Sequence, residues 1–298
     1  RAERDPAVTR RLYIAALGTE TNQFVPFPTG MRGYEQHGIW RGDATKAEPT
    51  NFTAPQQVAS LGKVVDFDVG YSHACAVLKD KTVWCWGDNT LRRVQPSTAT
   101  VKQGKPVQVL LPSSAALQVS ADGYSTCVRN DDGTVYCWGD NSLGYLGNGT
   151  SAATTSAPVQ VKPAGPVTQL TGTSNGATTV CALNQAGKVQ CWGQGKAGQL
   201  GNGMSEPVTV PSSALLPDPV VQVSGGHDHL CAITVTGALY CWGANDFGQL
   251  GNGTTNSSQI PVRVGVASDW LTVSVGGTSA CGTRTAAPNT TLWCWGDN

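Results

Sequence analysis

Ten cysteines carry most of the reactive chemistry of this chain, and they fall in five pairs: Cys75 with Cys85, Cys127 with Cys137, Cys181 with Cys191, Cys231 with Cys241, and Cys281 with Cys294. A cysteine pair can bridge to a disulfide, hold a metal as thiolates, or sit reduced in a core. Zinc sites use close Cys-x2–4-Cys spacing or nearby histidines, and none of the five pairs offers either. The remaining candidates are sparse. His227-Asp228-His229 is a metal-capable cluster without an identifiable third ligand, and Ser212-Ser213 lacks the glycine elbow and His/Asp partners of a nucleophile. These residues predict no catalytic group, no cofactor and no bound metal.

The elements that position the cysteines follow from the spacing. In Cys127-Val-Arg-Asn-Asp-Asp-Gly-Thr-Val-Tyr-Cys137, two alternating segments flank a polar turn, which reads as a β-hairpin. If Cys127 faces Cys137, the loop is Asp131-Asp132-Gly133, with glycine where a three-residue hairpin loop takes a left-handed residue. Gly187 and Gly237 stand at the same offset, Lys81 stands there in the first copy, and the fifth copy has a longer loop through Pro288. Directly opposed residues of an antiparallel pair lie within disulfide reach. Each pair is therefore read as one cross-strand disulfide, worth roughly 2–3 kcal/mol by loop closure. Zinc and reduced buried thiols stand as the alternatives. Five disulfides imply an extracellular, periplasmic or cell-surface compartment.

Each second cysteine opens a Cys-Trp-Gly triplet, with Trp86, Trp138, Trp192, Trp242 and Trp295, and the unit recurs about every fifty residues. Three hairpins are followed by Gly144-Tyr-Leu-Gly-Asn-Gly149, Gly198-Gln-Leu-Gly-Asn-Gly203 and Gly248-Gln-Leu-Gly-Asn-Gly253. A phosphate cradle would need a helix after the glycines, and strand-like segments such as Pro261-Val-Arg-Val264 follow instead. The expectation is a tight turn anchoring one leucine. The first copy has Leu91-Arg-Arg-Val-Gln-Pro96 there and reads as degenerate. A strand such as Val220–Val223, the hairpin, the turn and a last strand make four short strands per unit, which is one propeller blade. Alternation puts Val135 and Cys137 on one face and Tyr136 and Trp138 on the other, so the tryptophans are expected to pack on a neighbouring blade. His73 and His229 occupy a repeat position held elsewhere by Ser125, Thr179 and Ser279.

Composition agrees. Charged residues make up 13% of the chain, with Lys+Arg and Asp+Glu at 20 each, and there are 36 glycines and 17 prolines. A neutral chain without a basic stripe excludes a nucleic-acid binder, and no apolar run approaches a membrane span. Asn51, Asn148, Asn252, Asn256 and Asn289 open Asn-x-Ser/Thr sequons, used only in a host that glycosylates.

The pattern Gly-x-x-His-x-Cys-Ala-(Leu/Ile), then Gly-x-(Val/Leu)-x-Cys-Trp-Gly-x-Asn-x-x-Gly-Gln-Leu-Gly-Asn-Gly, is most complete over Gly226–Gly253. It resembles the repeat of the regulator of chromosome condensation family, in the cysteine-paired form of bacterial secreted and surface proteins, and covers about 58–298. The resemblance implies an all-β fold of propeller blades, with four to five blades present of an incomplete seven-bladed ring. The expected units are 58–110, 111–162, 163–214, 215–265 and a truncated 266–298. Residues 1–57 form a separate short strand segment. There, Leu12–Leu17 reads as a strand leading into Glu20-Thr-Asn-x-Phe-x-Pro-x-Pro-Thr29, and 11–46 resembles the start of microcystinase C-type metallopeptidases. Nothing downstream matches that family's metal site, so Glu20 and His37 receive no catalytic role, and both chain ends read as cut.

The functional expectation is a non-enzymatic extracytoplasmic scaffold that binds a protein or a surface polymer through its loop face, with Tyr145 and Phe247 as the aromatic candidates. Three alternatives accompany it. The family resemblance implies guanine-nucleotide exchange on a small GTPase, for which free thiols and a loop wedge outside the repeats are expected. An inhibitor of a secreted enzyme would present loop-face aromatics. A metallopeptidase fragment would need an intact downstream metal site.

Overall fold

The computed structural model describes residues 13–14, 56–58, 61–113, 115–152, 154–173, 178–286 and 289–297. Glu20, His37, Asn51 and nearly all of 11–46 lie outside the described residues. A short pair, β1 (Tyr13–Ile14) with β2 (Gln56–Gln57), is all that is described of the N-terminal segment.

The rest is five sheets in which sequence order equals spatial order. β3 (Val64–Val69), β4 (His73–Leu78), β5 (Val83–Asp88) and β6 (Lys102–Val109) make the first. β7 (Ala116–Ala121), β8 (Ser125–Asn130), β9 (Val135–Gly139) and β10 (Val159–Val161) make the second. β11 (Val167–Gly172), β12 (Thr179–Asn184), β13 (Val189–Gly193) and β14 (Val208–Ser213) make the third. β15 (Val220–Gly225), β16 (His229–Thr234), β17 (Leu239–Gly243) and β18 (Ser258–Arg263) make the fourth. The fifth has three strands among the described residues: β19 (Trp270–Val275), β20 (Ser279–Ala286) and β21 (Asn289–Gly296). All pairings are antiparallel, as an up-and-down blade requires. Consecutive blades pack on one another, so the five make an open ring.

The hairpin register places each cysteine directly opposite its partner. Cys75 faces Cys85, Cys127 faces Cys137, Cys181 faces Cys191, Cys231 faces Cys241 and Cys281 faces Cys294. Their Cα atoms lie 4.0–4.1 Å apart, all five disulfides are formed, and no described cysteine is free. Neither the zinc nor the reduced-thiol alternative fits this pairing. The loop is the three-residue type: Gly133, Gly187 and Gly237 have φ of 79°, 78° and 74°. Lys81 takes the same left-handed conformation at 66° without being glycine. The next blade explains the difference. A Cβ on Gly133 would lie 2.7 Å from Pro166, and one on Gly187 2.6 Å from Pro219, whereas the first hairpin meets Ala116, whose N–H donates to the Lys81 carbonyl at 3.3 Å.

Between blades the alternation has its predicted consequence. Cys127, Val135 and Cys137 of the second blade pack with Val180, Ala182 and Trp192 of the third. Cysteine faces point to the following blade and tryptophan faces to the preceding one. Trp86, Trp138, Trp192 and Trp242 are fully buried. Four indole N–H groups donate backwards across the interface: Trp138 to the Arg93 carbonyl at 2.7 Å, Trp192 to Tyr145 at 3.1 Å, Trp242 to Gln199 at 2.8 Å and Trp295 to Gln249 at 2.9 Å. A buried Trp stabilises most when its N–H is satisfied, and the preceding turn supplies the acceptor for these four, while Trp86 Nε1 finds none among the described residues.

Innermost strands are clamped as well. The amide of Gln118 donates to the Leu170 carbonyl at 3.0 Å and accepts the Leu170 N–H at 2.9 Å. Gln169 does the same with Val223, and Gln222 with Val273. A side-chain amide thereby stands in for a strand partner between blades that share no sheet.

Candidate functional site

In each blade the inner strand and the third strand run the same way, so the connection after the inner strand and the turn after Cys-Trp-Gly emerge at one end. Backbone bonds tie them: Asp88 N–H to Ser72 carbonyl, Asp140 to Tyr124, Gln194 to Thr178, Ala244 to Asp228 and Asp297 to Thr278, at 2.8–3.0 Å. This loop face lies opposite the hairpin tips.

The turns of the first, second and fourth blades are built around one asparagine, where the third has Gly195. Asn141 Oδ1 accepts the Leu146 N–H at 3.0 Å while its Nδ2 donates to the Thr150 carbonyl at 3.2 Å. Asn245 repeats this with Leu250 at 2.8 Å and the Thr254 carbonyl at 2.9 Å. Leu146, Leu200 and Leu250 are fully buried, as the anchored-leucine reading expected. The first copy, expected to be degenerate, carries the same wiring. Asn89 Oδ1 accepts the Val94 N–H at 3.0 Å, Val94 fills the leucine slot, and the Arg93 carbonyl takes the next tryptophan. Its Arg93 guanidinium adds bonds to Asp88 Oδ2 and the Gly123 carbonyl, each at 2.7 Å. Burial pushes the Asp88 carboxyl upward, but the Thr90 and Arg93 bonds outweigh it and hold it below its usual value.

The two aromatic candidates fall in different places. Phe247 is 52% exposed on the loop face. Tyr145 is 3% exposed. It holds the turn position of Arg93, Gln199 and Gln249, its ring lies 6.0 Å from that of Tyr124, and burial pushes its hydroxyl up to about 12. The surface counterpart of Phe247 is Leu143, 37% exposed. Counting from each Cys-Trp-Gly gives Leu91, Leu143, Ala197 and Phe247 as equivalents, a signal present in the sequence once the turns are aligned.

On the inner side of the open ring the inner strands line a half-open cavity of about 420 Å³ that includes Asp66, Asp68, Asp122 and His227. Burial raises Asp68 to about 6 against backbone N–H bonds from Ala121 and Val69. Burial, then Asp68, raises Asp122 well above the usual carboxylate range. His227 lines this cavity, whereas His229 is buried at the start of β16, where burial lowers it to about 4. Among the described residues no three His, Cys, Asp or Glu gather as a metal site, and no helix is long and apolar enough to cross a membrane.

Two profiles of the regulator of chromosome condensation (RCC1) repeat match the chain, one at 132–182, 186–233 and 236–282, the other at 64–91, 117–144 and 220–249. Curated relatives include the human probable E3 ubiquitin-protein ligase HERC4, 36% identical over 97 residues, which are 31% of this chain and 9% of that protein. Mouse E3 ubiquitin-protein ligase HERC2 is 31% identical over 167 residues, 53% of this chain and 3% of its own length. The chain thus spans a small part of these relatives. Among solved structures, human WBSCR16 superposes with a TM-score of 0.72 at 21% identity, over 88% of this chain and 71% of that one. Prp20p of Saccharomyces cerevisiae, described with its binding to Gsp1p and histones, gives 0.69 at 16% identity, over 84% and 62%. At these identities the structures establish the fold, a β-propeller.

Proposed function

The chain belongs to the regulator of chromosome condensation repeat family, and from that footing we propose that it works as a non-enzymatic binding module outside the cytoplasm, holding a protein or a surface polymer against its loop face. Residues 58–298 form the working module and 1–57 a separate segment. The observation that carries the reading is the set of five hairpin disulfides, which require an oxidising compartment to form and persist. The exchange-factor reading of the same fold expects free thiols in a reducing compartment. Support for the face comes from its construction: turns locked by asparagine and buried leucine carry Phe247 and Leu143 outward on a rigid frame.

Intact mass of the unreduced protein, before and after alkylation, tests the compartment. No alkylation until reduction supports the reading; ten reactive thiols in protein taken directly from its cells overturn it. The face is tested by the immobilised full chain against secreted and surface fractions of its source cells, beside Phe247→Asp. Retention of a component that the variant loses supports the loop face, and equal retention by both removes it.

A further inference from the structure

The inner strands repeat position by position, so each blade serves as a control for the others. Opposite the first cysteine of its hairpin, the inner strand carries Asp68, Ser120, Thr171, Ser224 or Ser274. Hydroxyls hold the next blade there: Thr171 Oγ1 accepts the Gly225 N–H at 2.9 Å and Ser224 Oγ the Val275 N–H at 3.1 Å. Asp68 accepts the Ala121 N–H at 2.9 Å in the same way, so the bond does not need a carboxylate. Asp66 takes the Val119 N–H at 2.8 Å, where later blades use the neutral amides of Gln118, Gln169 and Gln222. Two residues beyond the Asp68 position, one backbone bond recurs from Gly70, Asp122, Thr173, Gly226 and Gly276. Three acids thus stand where neutral residues do the same structural work.

Asp122 stands apart from the other two. It lines the inner cavity with Asp66 and Asp68, yet it is 2% exposed. The Ser120 hydroxyl, whose counterparts hold the next blade, donates instead to Asp122 Oδ1 at 3.0 Å. Asp122 Oδ2 has no partner among the described residues. Gly172 makes room for the carboxyl, since a Cβ there would clash with Oδ1. No Lys or Arg is among the residues lining the cavity; His227 lines it from the fourth blade, and Arg129 acts on Asp66 through space. Neighbouring buried carboxylates are costly to ionise unless a cation with N–H donors joins them. The donor set does not suit a metal ion, because no three His, Cys, Asp or Glu gather among the described residues.

We propose that Asp122 and Asp68 form a binding site for an organic cation, an ammonium or guanidinium group, whose N–H donors satisfy Asp122 Oδ2 and whose charge the two carboxylates balance. The group is carried by a small molecule or by a basic side chain, and the site is separate from the loop face. Burial, then Asp68, keeps the Asp122 proton in place well above the usual carboxylate range, and burial raises Asp68 to about 6. An entering cation therefore displaces a proton to the buffer, and binding strengthens as pH rises.

The test is a thermal-shift titration of the full chain at matched ionic strength. The probes are n-butylammonium, n-butylguanidinium and an end-capped lysine peptide, beside tetramethylammonium, which has charge without N–H donors, and calcium. At least one of the first three should raise the unfolding midpoint, and more at about pH 8 than at about pH 6. Asp122→Asn should weaken that binding about tenfold or more, the loss of one charge-assisted hydrogen bond. Asp68→Ser installs the hydroxyl that the other blades use, keeps the fold, and should weaken it similarly. Phe247→Asp should bind as the unaltered chain does, which separates this site from the loop face. A response to the free cations alone supports the site with a small molecule as its source, and one to the peptide alone supports it with a partner's side chain. No response to any of the three, an equal one to tetramethylammonium or calcium, or undiminished binding by either aspartate variant would overturn the proposal.

Discussion

The first blade and the three that follow do the same structural work with different residues. Where later turns read Gly-x-Leu-Gly, the first reads Arg92-Arg93-Val94-Gln95, yet buried aliphatic and acceptor carbonyl occupy the same places, and so does the asparagine in every blade but the third, which has Gly195 there. Glycine is demanded only where something presses on the backbone. Cβ atoms on Gly147, Gly201 and Gly251 would lie 2.7–2.8 Å from the indoles of Trp192, Trp242 and Trp295. Arg92 and Lys81 hold left-handed conformations at φ 57° and 66° where other copies have glycine. The repeat is thus defined by hydrogen-bond wiring, and its glycines by clearance.

The hardest test of that distinction is Gly147→Ala. Overpacking against Trp192 at φ 62° should cost about 3 kcal/mol, against under about 0.5 kcal/mol for Gln95→Ala at the matching position. Urea midpoints of both variants decide it, and similar losses would break the comparison.

The histidines give the next effect. His73 and His229 hold one repeat position, but His73 Nε2 donates to Thr126 Oγ1 at 2.8 Å, whose hydroxyl donates on to the Arg93 carbonyl. At the next blade from His229 the matching residue is Ala280, and among the described residues neither ring nitrogen of His229 has a partner. Burial, with His227 adding, lowers His229 from 6.5 to about 4. The unfolded chain then binds the extra proton, so stability is full above about 6.5 and falls, by as much as a few kcal/mol, as pH drops toward 4. Asp68, raised to about 6, works oppositely, since stability is lost as pH rises through the 4–6 range. His229→Ser should flatten the acid side of the thermal-stability profile, and an unchanged slope would count against the orphaned imidazole.

Arg93 sharpens the comparison further. Arg93→Met removes a buried guanidinium from Asp88 and Gly123 and should lower stability by about 2 kcal/mol. Gln199→Met, at the same turn position, gives up its bond to Asp228 at 3.1 Å and should cost about 1 kcal/mol. Smallest is Lys81→Gly. It relieves a left-handed lysine and forfeits an exposed pair with Asp131, for a net gain of up to about 1 kcal/mol in thermal denaturation.

Much of this was legible in the sequence because it is local. Hairpin loop length, cysteine register and the two faces of the Cys-Trp strand follow from spacing and alternation, and they hold in four copies. What was not legible depends on the neighbouring blade. Gln118, Gln169 and Gln222 read as ordinary polar alternation, and nothing local marks them as clamps between inner strands. Tyr145 and Phe247 look alike as turn aromatics, but one is buried with its ring beside Tyr124 and the other is exposed to solvent. Arg93 hid the first turn because its side chain differs while its backbone role does not.

The disulfides also set how the molecule would behave as a spring. Each links residues ten apart in blades one to four and thirteen apart in blade five. Pulled from its ends, an opening blade would pay out its strands and turn but not the locked hairpin, withholding roughly 35 Å of contour for each ten-residue loop. Added reductant would lengthen the extension steps of blades one to four by that amount and that of blade five by roughly 45 Å, so the redox state of the surroundings would be readable as a step length.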